Sequence, residues 1–86
     1  MDLGFTIDYT EEATQMMDDR MILKTDVIRV LQSLRKTGEA ILDGETGLCV
    51  TRARLGNVTF WVKYTENETG YLVHRAYSHR MTIQTR

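Results

Sequence analysis

The 86-residue chain contains no proline and a single cysteine. Without proline, and without repeats or low-complexity tracts, nothing marks a linker, so residues 1–86 are expected to form one domain. A lone Cys49 rules out an intrachain disulfide framework and fits a reducing compartment. No apolar run approaches the ~20 residues of a membrane span. Met1-Asp2-Leu3-Gly4 lacks the basic and apolar regions of a secretory signal. A cytoplasmic location and no membrane partner are therefore expected. Glycine-rich phosphate loops, nucleophile elbows and dinucleotide fingerprints are also missing. So are the closely spaced cysteine and histidine pairs of zinc sites. Neither a cofactor nor a metal is expected. The formal net charge of -1 argues against a dedicated nucleic-acid binder, whose footprint is usually net basic.

What is present is an ordinary globular composition, 42% hydrophobic and 27% charged, which argues against wholesale disorder. The charges, however, are segregated. Before Arg20 stand six carboxylates (Asp2, Asp8, Glu11, Glu12, Asp18, Asp19) and no base. The stretch from Tyr71 to Met81 holds both histidines, two arginines and two tyrosines, and no acid. The acidic start reads as a solvated helix face, or as a partner of the basic strand within the fold.

The patterning predicts an α+β domain in which two N-terminal helices pack on a three- to four-stranded antiparallel meander. A short strand is expected from Asp2 to Asp8. Thr10 then caps a helix running to about Arg20, with Glu11 and Glu12 at its positive end. Thr25 or Asp26 caps a second helix, in which Val27, Val30, Leu31 and Leu34 recur at helical spacing. Arg35 and Lys36 suit its last turn and Gly38 ends it. Beyond Gly38 the period becomes two, giving strands at Glu39 to Asp43, Leu48 to Leu55, Val58 to Tyr64, Gly70 to Tyr77 and Met81 to Gln84. Gly56-Asn57 has the composition of a two-residue hairpin turn.

Residues 12–31 are similar to a family of small domains that groups with RelE- and BrnT-like toxins. Ala13, Met17, Arg20, Ile22, Asp26, Val27, Val30 and Leu31 fit its pattern. Glu12 stands where that family has histidine, and Met16 where it has arginine. The resemblance implies an antiparallel sheet behind two helices. It also implies an antitoxin-like protein partner or, as the alternative, metal-independent ribonuclease activity on RNA. The C-terminal stretch is similar to short proteins that accompany redox enzymes, which implies a larger enzyme as partner.

Several residues are candidates for a working surface. If the last strand stays extended, Arg75, Tyr77 and His79 share one face. Arg52 and Arg54, also two apart, suit a facing strand. Such a cluster suits a phosphodiester, with arginines holding phosphate and a tyrosine or histidine moving a proton. The competing reading makes the arginines solvated and the tyrosines part of an apolar stripe. His74 and His79, five apart, point to opposite faces of a continuous strand and do not share an ion. Cys49, beside Leu48 and Val50, suits a small buried hydrophobe. Met16, Met17, Met21 and Met81 read as core. Trp61 lies on the strand face opposite Val58, Phe60 and Val62, where a large aromatic suits a partner contact unless another layer covers it.

These readings combine into a small binding or accessory module. Trp61 and Tyr64 would anchor the contact, with Arg75, Tyr77, His79 and Arg80 supplying polar specificity. A homodimer is a further expectation, because self-association reinforces a small core. Under the ribonuclease alternative the catalytic set is Arg75, Tyr77 and His79 with Arg54. The strand's buried face is left open between Leu72, His74 and Ala76 and the set Tyr71, Val73 and Tyr77, since a bulge would exchange them.

Overall fold

A computed structural model describes residues 4–80. Its elements are β1 (Thr6–Tyr9), α1 (Glu11–Asp19), α2 (Lys24–Thr37), β2 (Ile41–Leu42), β3 (Cys49–Leu55), β4 (Val58–Glu66) and β5 (Gly70–Arg80). The α+β class and the two helices agree with the sequence pattern. The sheet differs in having five strands, in the order β1-β5-β4-β3-β2, with β1 parallel to β5 and the other pairs antiparallel. The expected strand at Met81 to Gln84 lies outside the described residues.

Thr10 caps α1 as its sequence context requires, accepting the Ala13 N–H at 3.0 Å, with Glu11 and Glu12 in the first turn. The same residue fastens the helix to the sheet. Its N–H donates to the Val73 carbonyl at 3.0 Å and its hydroxyl donates to the His74 carbonyl at 3.4 Å. Since β1 stops at Tyr9, α1 continues along β5 where the parallel pairing ends. The far end of α1 closes in a Schellman turn: Ile22 N–H bonds Met17 O and Met21 N–H bonds Asp18 O. Met21 takes the left-handed position there, at φ 57°, that glycine ordinarily fills.

Helix α2 begins at Lys24, slightly earlier than the threonine and aspartate suggest. Asp26 still supplies the cap chemistry, from inside the first turn, by accepting the Leu23 N–H at 3.0 Å. Gly38 ends the helix in the left-handed conformation, donating to Leu34 O at 2.7 Å, with Arg35 and Lys36 in the last turn. The predicted stripe of Val27, Val30, Leu31 and Leu34 is buried. It meets Val62, Tyr64, Tyr71, Val73 and Ala76 of the sheet, so both helices cover one face of it.

A chain of aromatics ties the residue before the first strand into this core. Phe5 meets Tyr71 edge-on at 5.5 Å, and Tyr71 meets Tyr64 at 5.2 Å. Arg35, from the last turn of α2, lies over the Phe5 ring at 4.7 Å. Gly70 makes the parallel pairing possible. A Cβ there would collide with the backbone of Thr6, its partner across the strands.

The last strand changes its buried face partway along, because a bulge falls opposite Lys63 and Tyr64. Tyr64 pairs with Val73 whereas Lys63 pairs with Arg75, which leaves His74 as the extra residue. Tyr71 and Val73 are therefore buried before the bulge and Ala76 after it. Both sequence alternatives hold, each for half of the strand, and Tyr77 is not part of the core stripe.

Candidate functional site: the bare face of the sheet

The face of the sheet turned away from the helices carries a row of side chains set by register alone. Arg52 on β3 lies opposite Trp61 on β4, which lies opposite Tyr77 on β5. On one side of this row stand Val50, Lys63 and Arg75, and on the other Arg54, Thr59 and His79. Directly opposite residues keep their Cβ atoms about 5 Å apart, so the nine side chains form one continuous surface. Arg75, Tyr77 and His79 share this face with Arg52 and Arg54, as the alternation predicts.

Trp61 is half-buried at the centre of this surface and meets the His79 ring at 6.3 Å. Among the described residues neither helix reaches it, and the tail beyond Arg80 lies outside them. The N-terminal strand does not cover it either, because β1 joins the sheet in-plane at the edge of β5. Beside Trp61 lies a groove of about 490 Å³, walled by Gly38, Glu39, Ile41, Val50 and Arg52. It arises where the chain leaves α2 and approaches β3 with only two residues of pairing, Ile41 and Leu42. Thr51 fixes this approach by donating its hydroxyl to Glu39 O at 2.9 Å.

Two cations on the face are held by acids at its margins. Lys63 Nζ stands 3.4 Å from Asp43 Oδ2, with both side chains largely buried. The Asp43 carboxyl sits below its ordinary 3.8, first because the Glu45 N–H donates to it, then through the Thr46 hydroxyl and Lys63. Arg75 Nε stands 3.4 Å from Glu12 Oε1. The guanidinium is held above its ordinary value by Tyr77 first and Glu12 second. The acidic first helix thus does pair with the basic last strand, through Glu12 and Arg75.

Two further cations were not singled out by the sequence pattern. Arg20, at the end of α1, reaches round to put its guanidinium 5.4 Å from the centre of the Tyr77 ring. Lys63 Nζ lies 5.9 Å from the same ring. Lys63 was legible, standing two residues after Trp61 on one strand. Arg20 was not, because its place depends on where α1 docks. Among the described residues, neither Arg52 nor Arg54 pairs with an acid. Arg54 only folds back to donate to Gly56 O at 3.1 Å.

Other expected positions fall elsewhere. Tyr64, expected as an anchor beside Trp61, is 2% exposed and turned toward the helices. The odd spacing from Trp61 to Tyr64 puts them on opposite faces. Burial pushes its phenol up to about 12, with smaller contributions from Cys49, Glu66 and Tyr71. Cys49 packs on the helix-side core, away from Arg52 and Arg54, as a small hydrophobe would. His74, at the bulge, rests its Nε2 3.1 Å from the Thr65 hydroxyl. No group of three metal-ligating side chains forms among the described residues. Met17 is core, whereas Met21 is 86% exposed at its left-handed turn. The side chain of Arg80 and residue Met81 lie outside the described residues. No helix among those residues is long and apolar enough to cross a membrane.

Comparison with protein-family profiles, with curated proteins and with solved structures finds no match to this chain.

Proposed function

We propose that this chain is a small binding module that works through the bare face of its sheet. The observation that carries this reading is the position of Trp61. A large aromatic stands half-buried at the centre of a face that no helix covers, beside a groove and ringed by cations. Contact energy concentrates on such central aromatics and arginines. Arg52, Arg75, Tyr77 and His79 provide the polar contacts around it. The sequence resemblances suggest a larger enzyme or an antitoxin-like protein as partner, and the small core suggests a second copy of the chain. Replacing Trp61 with alanine leaves the helix-side core untouched, so the variant is expected to fold. It should fail to retain whatever the wild-type chain captures from its native extract. Retention by a folded Trp61→Ala protein would sink this reading.

A RelE/BrnT-like ribonuclease is the second reading, and one observation favours it. The register puts Arg75, Tyr77 and His79 on the face that also holds Arg52 and Arg54, with Arg54 and His79 in one cross-strand row. Expression of the chain alone should then arrest growth, and Arg75→Ala combined with His79→Ala should abolish the arrest. Growth unaffected by the wild-type chain would remove this alternative.

A further inference from the structure

Resting on the binding-module reading, we infer that the occupant of the bare face is a single strand of nucleic acid. One base would lie against Trp61 in the groove, with the phosphates tracking across Arg52, Arg54 and Arg20. Charge selects this occupant. The face and its rim present Arg20, Arg52, Arg54, Lys63 and Arg75, against three acids: Asp43 and Glu12, paired at its margins, and Glu39 in the groove wall. Asp43 and Glu12 engage Lys63 and Arg75, which leaves Arg20, Arg52 and Arg54 without an acidic partner among the described residues. A net charge of -1 for the whole chain therefore conceals a locally positive surface.

The alternation of cations with an aromatic platform suits a strand better than a protein. Protein interface cores are depleted in lysine and acids, although arginine and aromatics serve both kinds of partner. Surfaces for single strands combine a positive track with rings on which bases stack. The groove beside Trp61 is lined by Ile41 and Val50 with Arg52 and Glu39 at its rim, apolar walls for a planar ring with polar groups for its edges. Tyr77 has a different role. Its ring is already faced by Arg20 and Lys63, so it positions cations and does not stack a base.

Extent decides between a strand and a free nucleotide. From Arg54 on β3 to Arg75 on β5 is two strand spacings across the sheet and four residues along it, roughly 16 Å, and Arg20 lies on the α1 side of this span. That is wider than one phosphate group. A duplex is disfavoured because its bases are stacked on one another and unavailable to Trp61. Stacking and phosphate contact do not require a 2′-hydroxyl, so DNA and RNA strands should both bind.

Trp61 is the sole tryptophan, which makes its fluorescence a direct report of contact. The experiment titrates the intact chain with oligothymidylate of about 12 nucleotides, within the usual site sizes. Tryptophan quenching and anisotropy of an end label are followed together at low salt. The expected result is quenching that saturates, with affinity falling steeply as salt rises, by about 0.7 of a log unit per log unit for each phosphate contact. Arg52→Glu with Arg54→Glu should weaken binding at least about tenfold and flatten the salt slope by roughly 1.4. Trp61→Ala, followed by anisotropy, should weaken binding while retaining the slope. Circular dichroism and thermal unfolding of each variant confirm that it is folded.

Absence of quenching, equal affinity for a duplex of the same length, or equal affinity for thymidine triphosphate would overturn the inference. So would a folded double-arginine variant that binds as well as wild type. If the oligonucleotide fails while Trp61-dependent capture of a protein persists, the inference falls and the binding-module reading stands. If both fail, the face itself is not the working surface.

Discussion

Met21 occupies a left-handed turn, at φ 57°, that its side chain disfavours. Its side chain is almost wholly exposed, so the residue contributes little packing there. Met21→Gly should relieve the backbone strain at the cost of extra chain entropy, with a net gain of about 0.5 kcal/mol. Urea denaturation checks this, and a loss of stability would mean that the methionine makes a contact of its own. Tyr64 supplies a second test, through pH. Its phenol ordinarily ionises near 10.0 but is pushed up to about 12 in the folded chain. Burial thus stabilises the neutral form, and that contribution is complete below the unfolded value. It is lost as pH rises from about 10 toward 12. The chain should therefore lose stability across that window, and Tyr64→Phe should lose less of it. Identical alkaline denaturation of the two proteins would contradict this account. Asp43 works in the opposite direction. Its carboxyl is held below 3.8, so its contribution is present above that value and lost as pH falls through its own, freeing Lys63.

Among the elements that close the core, β1 is an edge strand held by a single neighbour. It has four residues, pairs with β5 alone and runs parallel to it. Its approach depends on Gly70, whose missing Cβ leaves room for the Thr6 backbone. Gly70→Ala should detach β1 while sparing the β3–β4–β5 meander. Hydrogen exchange checks this: amides of Ile7 to Tyr9 should lose protection while those of Val62 and Val73 keep most of theirs. Unchanged protection of β1 would show that the strand adjusts at little cost. The helices were legible in the sequence because their caps and apolar spacing are local, as Thr10, Gly38 and the Val27–Leu34 stripe show. The parallel partner of β1 was not, since pairing is a long-range choice that no local pattern encodes. The bulge at His74 was equally hidden. Alternation reads well on both sides of it, and only the register with β4 shows where the two phases meet. The bare face was half legible. Period two places Arg75, Tyr77, His79 and Trp61 on one face and Tyr64 on the other, so an anchoring role for Tyr64 beside Trp61 goes against the alternation, and Arg20 required the docking of α1.

At the scale of the molecule, the described residues form two layers, with one core and one face that neither helix covers. A core of this size is close to the lower limit for independent folding, so single losses should be severe. Leu31, fully buried beneath the sheet, should cost about 2–5 kcal/mol when cut to alanine. Much or all of the stability of such a domain would be consumed, visible as a collapsed or absent thermal transition. Substitutions on the other face should behave differently. Arg52 is exposed and forms no ion pair among the described residues, so Arg52→Ala should leave stability within about 0.5 kcal/mol of wild type while altering binding. This division, stability on the helix side and recognition on the bare side, is what the two-layer arrangement implies.

The central claim is that Trp61 sits on an uncovered and positively charged surface. Quenching of its fluorescence by iodide and by caesium, compared at matched ionic strength, tests this most directly. The account predicts efficient quenching by iodide and weak quenching by caesium, with the difference reduced in the Arg52→Glu, Arg54→Glu variant. Equal quenching by both ions would contradict the positive field, and protection from both would show that the face is covered.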